Sequence, residues 1–200
     1  IRYFAFSDMP AWVATKAATI AQERRVPGPI AMQLEYSLVA RDVEAEHFPA
    51  ARDAGIAVVP WSPLAGGFLT GKYRRGDSRG PGRLSGPNPF GDSKFSDRNW
   101  DILAVLTEIA AEIGSTPAQV ALAWAMARPG VASTLIGATS VAQLTSNIAA
   151  SDLFLGPALM SRLNAASAPA TGFSAALAQP AIRRMIFGGQ DVAGWGDVQG

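Results

Sequence analysis

Apolar residues along this chain fall alternately into short β-rich runs and longer stretches at helical spacing, four times over. "IRYFAFS" (Ile1–Ser7), "IAMQLEY" (Ile30–Tyr36), "IAVVPW" (Ile56–Trp61) and "ASTLIGA" (Ala132–Ala138) predict strands. The third is almost wholly apolar, as expected of a strand covered on both faces. After Asp8-Met9-Pro10, "AWVATKAATIAQERR" predicts a helix that ends before Pro27-Gly28-Pro29. "LVARDVEAEHFPAARDAG" predicts a second, broken or restarted at Pro49 and stopped by Gly55. Residues 62–99, dense in Gly, Pro, Ser and Arg, predict a long loop of the kind that is functional or disordered. A helix over Trp100–Ile113 follows. Thr116-Pro117-Ala118-Gln119 then makes a capping box with Pro at the first helical position, opening "AQVALAWAMAR". Thr139 and Ser140 cap "VAQLTSNIAA", and "PALMSRLNAAS" leads into a Gly- and Ala-rich tail ending in "GWGDVQG".

Strands alternating with helices imply a parallel sheet with right-handed crossovers. Two α/β architectures fit: a doubly wound open sheet, or part of a (β/α)8 barrel. Four strands cannot close a barrel that needs eight and typically about 250 residues. The 200-residue chain is therefore expected to be one domain, either a small open sheet or half of something larger. It opens inside a strand and without Met, which raises the expectation of a segment upstream.

Composition narrows the function classes. Seventeen basic against sixteen acidic residues leave a net charge of +1, which argues against a nucleic-acid groove or a polybasic membrane patch. There is no cysteine, hence no disulfide frame, thiolate metal site or thiol nucleophile. No apolar run is long enough to span a bilayer and no signal peptide opens the chain, so the expected setting is the cytoplasm.

The stretch "GGFLTGK" (residues 66–72) scans as most of a P-loop, but Tyr73 stands where Ser or Thr would hold magnesium. The glycines also begin several residues after the strand ends at Trp61, and no Walker-B strand is evident. Either this is a flexible surface loop, or its glycines let backbone amides approach an anion, with Lys72 supplying charge. Trp61 offers a flat face for an aromatic ligand, or a core anchor. Gly137-Ala138-Thr139-Ser140 joins a strand end to a helix N-terminus, a second place suited to an anion, with Gln143 and Asn147 on one face of that helix. Such loops build sites at strand C-termini in both architectures, and barrels often hold phosphate after their last two strands. Gln33 could pair with a planar amide, or face solvent. His47, the lone histidine, sits in "EAEHFP" on an expected surface helix.

Together, "IRYFAFSDMP", "MQLEYSLVARDVE", "GIAVVPWSPLAGGFLTGKY", "TPAQVALAWAM" and "IGATSVAQLTSN", in this order and spacing, resemble the C-terminal half of an aldo-keto reductase. Potassium-channel β-subunits share the fold and a similar W-S-P-L and G-K-Y pattern. The resemblance implies a (β/α)8 TIM-barrel type fold of which only the last four βα units are present, a half-barrel. It implies NADP(H) as cofactor and reduction of an aldehyde or ketone, a small-molecule carbonyl substrate.

Carried over by position, Ser7, Asp8 and Gln33 would contact the nicotinamide carboxamide and Trp61 would stack on its ring. Ser62, Leu64, Gly66 and Lys72 would line the pyrophosphate. Gly137, Thr139, Gln143 and Asn147 would hold the adenosine and its 2′-phosphate, with Arg83 a further candidate. The opening loop then cradles a dinucleotide and needs no magnesium ligand. Two positions depart from the family pattern: Asp8 replaces an Asn, and Ser146 replaces a Glu, both implying weaker or altered cofactor binding. The family's catalytic Asp, Tyr, Lys and His belong to its N-terminal half. Of Tyr3, Tyr36 and Tyr73, only Tyr73 has an adjacent lysine, and adjacency in sequence does not make a proton-donating pair. The expectation is a cofactor-binding half, active when an N-terminal half completes it. Its exposed edges predict a homo-oligomer, without nucleic-acid or membrane partners. The alternatives are a cofactor-sensing regulatory subunit and a phosphosugar-binding barrel.

Overall fold

The computed structural model describes residues 1–76, 82, 84, 92–170, 172–177 and 179–192. Three parallel strands, β1 (Ala5–Ser7), β2 (Ala31–Glu35) and β3 (Ala57–Trp61), form a sheet in that order. Their register pairs Phe6 with Met32 and Met32 with Val58, then Ser7 with Gln33 and Gln33 with Val59, and Glu35 with Trp61. Because side chains alternate along a strand, this register sorts the residues into two faces. Phe6, Met32, Leu34 and Val58 point towards the first helices, where Ala14 and Ala51 complete a small core. Ser7, Gln33, Glu35, Val59 and Trp61 share the other, more open face.

The first two helices cover the apolar face. α1 (Ala11–Arg24) ends on Arg25, a non-glycine residue in the left-handed region, with Val26 N–H donating back to Ala21 C=O (3.0 Å). α2 (His47–Ala54) departs from expectation: Pro49 does not break it but lies in its first turn, where a missing N–H costs nothing. The residues before it, Asp42–Glu44, make a separate 3-10 turn instead of a helix. His47 opens α2 half-buried, its Nε2 within 3.1 Å of Met9 C=O.

The predicted fourth strand is not a regular one. Residues 130–135 run beside β3: Val58 N–H donates to Gly130 C=O (2.9 Å), Ala132 N–H to Val58 C=O (3.0 Å) and Leu135 N–H to Pro60 C=O (2.8 Å). Between the last two bonds β3 advances by two residues and its neighbour by three, so one residue is extra, as in a bulge. Pro60 supplies the reason. Its backbone faces this neighbour just as Val58 does, but it has no N–H with which to continue the ladder.

Four further helices follow, α3 (Asp97–Glu112), α4 (Pro117–Met126), α5 (Val141–Ile148) and α6 (Pro157–Ala166), and a larger core lies among α3, α4 and α6. Leu106, Ile109, Val120, Trp124 and Leu163 form its centre. α3 starts three residues earlier than expected, because Ser96 caps it by accepting from Asn99 N–H (3.2 Å). The capping box of α4 is present as predicted, Thr116 Oγ1 accepting from Gln119 N–H (3.2 Å) and Gln119 Oε1 from Thr116 N–H (3.1 Å). The expected long loop is largely anchored, with Phe68, Leu69, Tyr73 and Leu84 all buried in this core. Residues 77–81, 83 and 85–91, Arg83 among them, lie outside the described residues.

The chain divides into two compact units, Ile1–Ala168 and Pro169–Gly200. The second, read from the sequence as a Gly- and Ala-rich tail, contains two short helices, α7 (Phe173–Leu177) and α8 (Pro180–Ile186). Pro180 at the first position of α8 was the readable start signal.

One polar network ties β2 to the later helices. The Tyr36 phenol donates to Glu44 and accepts from Arg128 Nε (3.0 Å), while Arg41 grips both Glu44 oxygens at 2.9 Å each. Asn164 Oδ1 accepts from Trp124 Nε1 (2.9 Å) and Arg128 (3.1 Å), and Tyr36 stacks on Trp124 with ring centroids 5.3 Å apart. Burial, then Glu44's acceptance of the phenolic proton, pushes the Tyr36 hydroxyl above its usual range. Burial pushes Glu44 upward, but hydrogen bonds from Arg41 and Tyr36 and the charges of Arg41 and Arg128 outweigh it and hold the carboxyl below its usual range.

Two outcomes are expected. Glu44→Gln leaves two arginines partly buried without their counter-charge, which should cost about 3 kcal/mol in urea unfolding, near the low end for a broken buried pair. Glu44's share of stability is complete above its unfolded pKa of about 4.3 and drains as pH falls through the lower folded value, so the variant should lose less stability on acidification. Secondly, β1 has a strand neighbour on one side only among the described residues, and Ile1, Tyr3 and Phe4 beside it are exposed. Light scattering of the chain should therefore show a dimer or larger species; a stable dilute monomer would contradict this.

Candidate functional site

The C-terminal ends of the three strands bring four of the expected site residues into one hydrogen-bonded cluster. Ser7 and Gln33 are register partners on the open face, and Ser7 Oγ donates to Gln33 Oε1 at 3.1 Å. This leaves the Gln33 amide Nε2 with no hydrogen-bond partner among the described residues. Asp8 follows in the left-handed region (φ 49°), a conformation that Asp and Asn tolerate better than most residues. That turn swings its carboxylate back over the strand ends. Trp61 Nε1 donates to both of its oxygens (3.1 and 3.0 Å) and Glu35 N–H to one (3.3 Å). The indole of Trp61 is thus held on the open face by a carboxylate from the far side of the sheet, two strands away.

Two side chains that the sequence reading left out of its candidate site border this cluster. Glu35, two residues beyond Gln33 on the same face, is ion-paired with Lys94 Nζ at 2.6 Å. The alternation "MQLEY" already put Glu35 beside Gln33, whereas nothing local to Lys94 announced that it reaches back to β2. Lys94 is nearly buried, so its charge is neutralised where it stands.

The glycine loop after β3 folds on itself. Ser62 and Ala65 have positive φ (53° and 50°), and Gly66 and Gly67 follow at 65° and 93° inside the 3-10 segment Ala65–Thr70. Ala65 N–H donates to Ser62 C=O (2.8 Å), Gly66 N–H to Ser62 Oγ (3.2 Å) and Gly67 N–H to Leu64 C=O (2.9 Å). These amides are occupied within the turn. Space favours glycine at position 66, where a Cβ would lie 2.8 Å from buried Leu84, and the left-handed backbone favours it at position 67, where a Cβ would lie 2.7 Å from the mobile end of Lys72, its Nζ. Lys72 therefore lies across the glycines, its Nζ 5.2 Å from the ring centroid of Tyr73. Tyr73 is buried and its hydroxyl accepts from Leu84 N–H (3.0 Å), so it acts as a core anchor.

The remaining expected residues lie beyond the bulged segment. Leu135 is bonded to β3 at Pro60, so Gly137 and Thr139 emerge at the same end of the sheet as Trp61 and Ser62. Ser140 caps α5, and Gln143 Oε1 accepts from both Thr139 N–H (2.9 Å) and Thr139 Oγ1 (3.0 Å). Asn147, one turn further on, has no side-chain partner among the described residues. No direct hydrogen bond joins this group to the Ser7–Trp61 cluster among the described residues. Nor do the described residues contain three or more His, Asp or Glu grouped as metal ligands, or a helix long and apolar enough to cross a membrane.

This chain belongs to the aldo/keto reductase family, whose family model matches residues 1–168. It is 34% identical over 164 residues to the uncharacterized oxidoreductase YrpG of Bacillus subtilis (strain 168), a match covering 82% of this chain and 48% of that protein. It is 34% identical over 179 residues to a probable voltage-gated potassium channel subunit beta of Oryza sativa subsp. japonica, covering 82% of this chain and 51% of the relative. A protein of the same description from Arabidopsis thaliana is 36% identical over 154 residues, 76% of this chain and 47% of its own length. The chain thus spans about half the length of the curated relatives it matches.

The glycine loop allows a direct check. Gly66→Ala forces an L side chain into the left-handed region, at about 1–2 kcal/mol, and presses on buried Leu84. Thermal unfolding should shift down by roughly 3–8 °C; an unchanged midpoint would mean the loop is not anchored as described.

Proposed function

We propose that this chain supplies the NADP(H)-binding half of an aldo-keto reductase barrel that reduces aldehydes or ketones once four further βα units complete it. The observation that carries this reading is the cluster at the strand ends: Ser7 bonded to Gln33, and Asp8 holding Trp61, in a chain of this family. The three-stranded parallel sheet with helices on one face and a polar, open opposite face is consistent with part of a barrel wall.

The donor set suits the cofactor. The free Nε2 of Gln33 can donate to a carboxamide oxygen while Ser7 fixes the amide from its other end. Trp61 presents an aromatic face whose tilt is set by Asp8. Ser62, Leu64 and Gly66 line the path along which a pyrophosphate would pass. Since the loop amides are already donating, attraction there falls chiefly to Lys72. Gly137, Thr139, Gln143 and Asn147 take the adenosine end, where Thr139 can exchange its bonds to Gln143 for bonds to a phosphate. When bound, the dinucleotide supplies the hydride for the carbonyl carbon. The proton for the carbonyl oxygen comes, in this reading, from the completing half. Tyr36 is poorly suited to give one, because burial and Glu44 hold its proton in place.

The channel-subunit names of the plant relatives favour a second reading, a nucleotide-sensing subunit with little turnover. The two readings share the site and differ in whether the completed barrel turns over.

Titration with NADPH should change tryptophan emission in a saturable way, and Trp61→Ala should weaken binding about tenfold by removing the stacking face. Unchanged emission at about millimolar cofactor would remove the basis of the proposal. Carbonyl-dependent NADPH oxidation by the completed barrel separates the reductase from the sensor.

A further inference from the structure

We infer that Asp8 sets the preference of this site for the oxidised over the reduced cofactor. This rests on the cofactor-binding reading above and adds a selectivity to it. Three observations lead there. The Asp8 carboxylate is hydrogen-bonded through both oxygens to the indole N–H of Trp61, the residue proposed to carry the nicotinamide ring. Among the described residues it has no cationic partner: Trp61 Nε1 and Glu35 N–H, both neutral, donate to it, and the Ser7 hydroxyl lies 3.4 Å away. The neighbouring acidic side chain, Glu35, is by contrast neutralised by Lys94 at 2.6 Å. Around the strand ends, then, one negative charge is paired and, among the described residues, the other is not.

An unpaired carboxylate beside a bound ring distinguishes the two states of that ring by charge alone. The oxidised nicotinamide carries a positive charge and the reduced dihydropyridine carries none. The attraction acts only on the former, weakening with distance and with salt. Hydrogen bonding contributes nothing to this discrimination, because an amide at position 8 could accept from Trp61 Nε1 equally well. The selectivity therefore belongs to the charge, and the positioning of Trp61 to the acceptor oxygen. A site of this kind holds its oxidised cofactor longer after a reduction, and a partner reaction that re-reduces the cofactor gains weight in its cycle.

The two contributions separate in two variants. Asp8→Asn removes the charge, keeps an acceptor for Trp61 and tolerates the left-handed backbone; Asp8→Gly removes both and also accepts that backbone. Dissociation constants for NADP+ and NADPH are measured by tryptophan fluorescence or calorimetry on the chain and on both variants. The expected result is that the ratio of the NADPH constant to the NADP+ constant falls about tenfold in both variants, the effect of one nearby charge in a partly screened site. Asp8→Gly should in addition weaken both forms together. An unchanged ratio in Asp8→Asn, with both forms still bound, overturns the selectivity while leaving the cofactor site standing. A ratio that moves only in Asp8→Gly assigns the effect to the posture of Trp61 and overturns it too. Failure of the unmodified chain to bind either form removes both readings.

Discussion

The register of the three parallel strands is the constraint on which everything else in the larger unit rests. Pairing Met32 with Val58 puts one set of side chains against α1 and α2; the intervening set, Ser7, Gln33, Glu35, Val59 and Trp61, is then obliged to share the opposite face. A slip by one residue would bury Gln33 and Glu35 under the helices and expose Met32 and Leu34. Hydrophobic burial thereby fixes the position of polar chemistry that contributes little to stability itself. The left-handed turn at Asp8 completes the arrangement by bringing a carboxylate back across all three strand ends.

Two buried polar networks divide the work of holding the later helices to this sheet. Tyr36, one residue past β2, joins Glu44, Arg41, Arg128, Asn164 and Trp124 in a group whose single carboxylate is shared by two arginines. Lys94 and Glu35 make a second tie, from the residues just before α3 to the open face. Phe68 packs edge-on against Phe95 and Trp100, its ring centroid 4.8 Å from that of Trp100, and Phe95 and Trp100 stack on each other. The loop carrying Gly66 and Gly67 is therefore held on both sides, and its glycines serve close packing against Leu84 and Lys72 more than backbone donation. This shifts the anion-binding burden in the proposed site from backbone amides to Lys72.

Much of this was legible beforehand because local physics decided it. The α4 capping box, the Ser140 cap and the cores of β2 and β3 follow from short-range spacing. The errors share a cause too. The regular fourth strand was expected from "ASTLIGA", yet Pro60, more than seventy residues nearer the N-terminus in a different strand but opposite it in space, lacks the N–H that its ladder needed. Pro49 was read as a breaker when its place in a first turn made it harmless. The apolar loop residues Phe68 and Leu69 looked like part of a flexible stretch until the packing of α3 and α4 around them was known.

Taken alone, the order of residues determined the alternation of elements, the sharp ends of the helices, the family and the list of side chains available at the strand ends. Those follow from periodicities and caps that act within a few residues. Only the tertiary structure decided that Asp8 is spent on Trp61 with no cationic partner among the described residues, that Lys94 answers Glu35, and that Gln143 turns back on Thr139. Each of these pairs except the last joins residues far apart along the chain, and their distances are set by strand register and helix packing. Electrostatic pairing depends on those distances, which no local pattern in the sequence encodes.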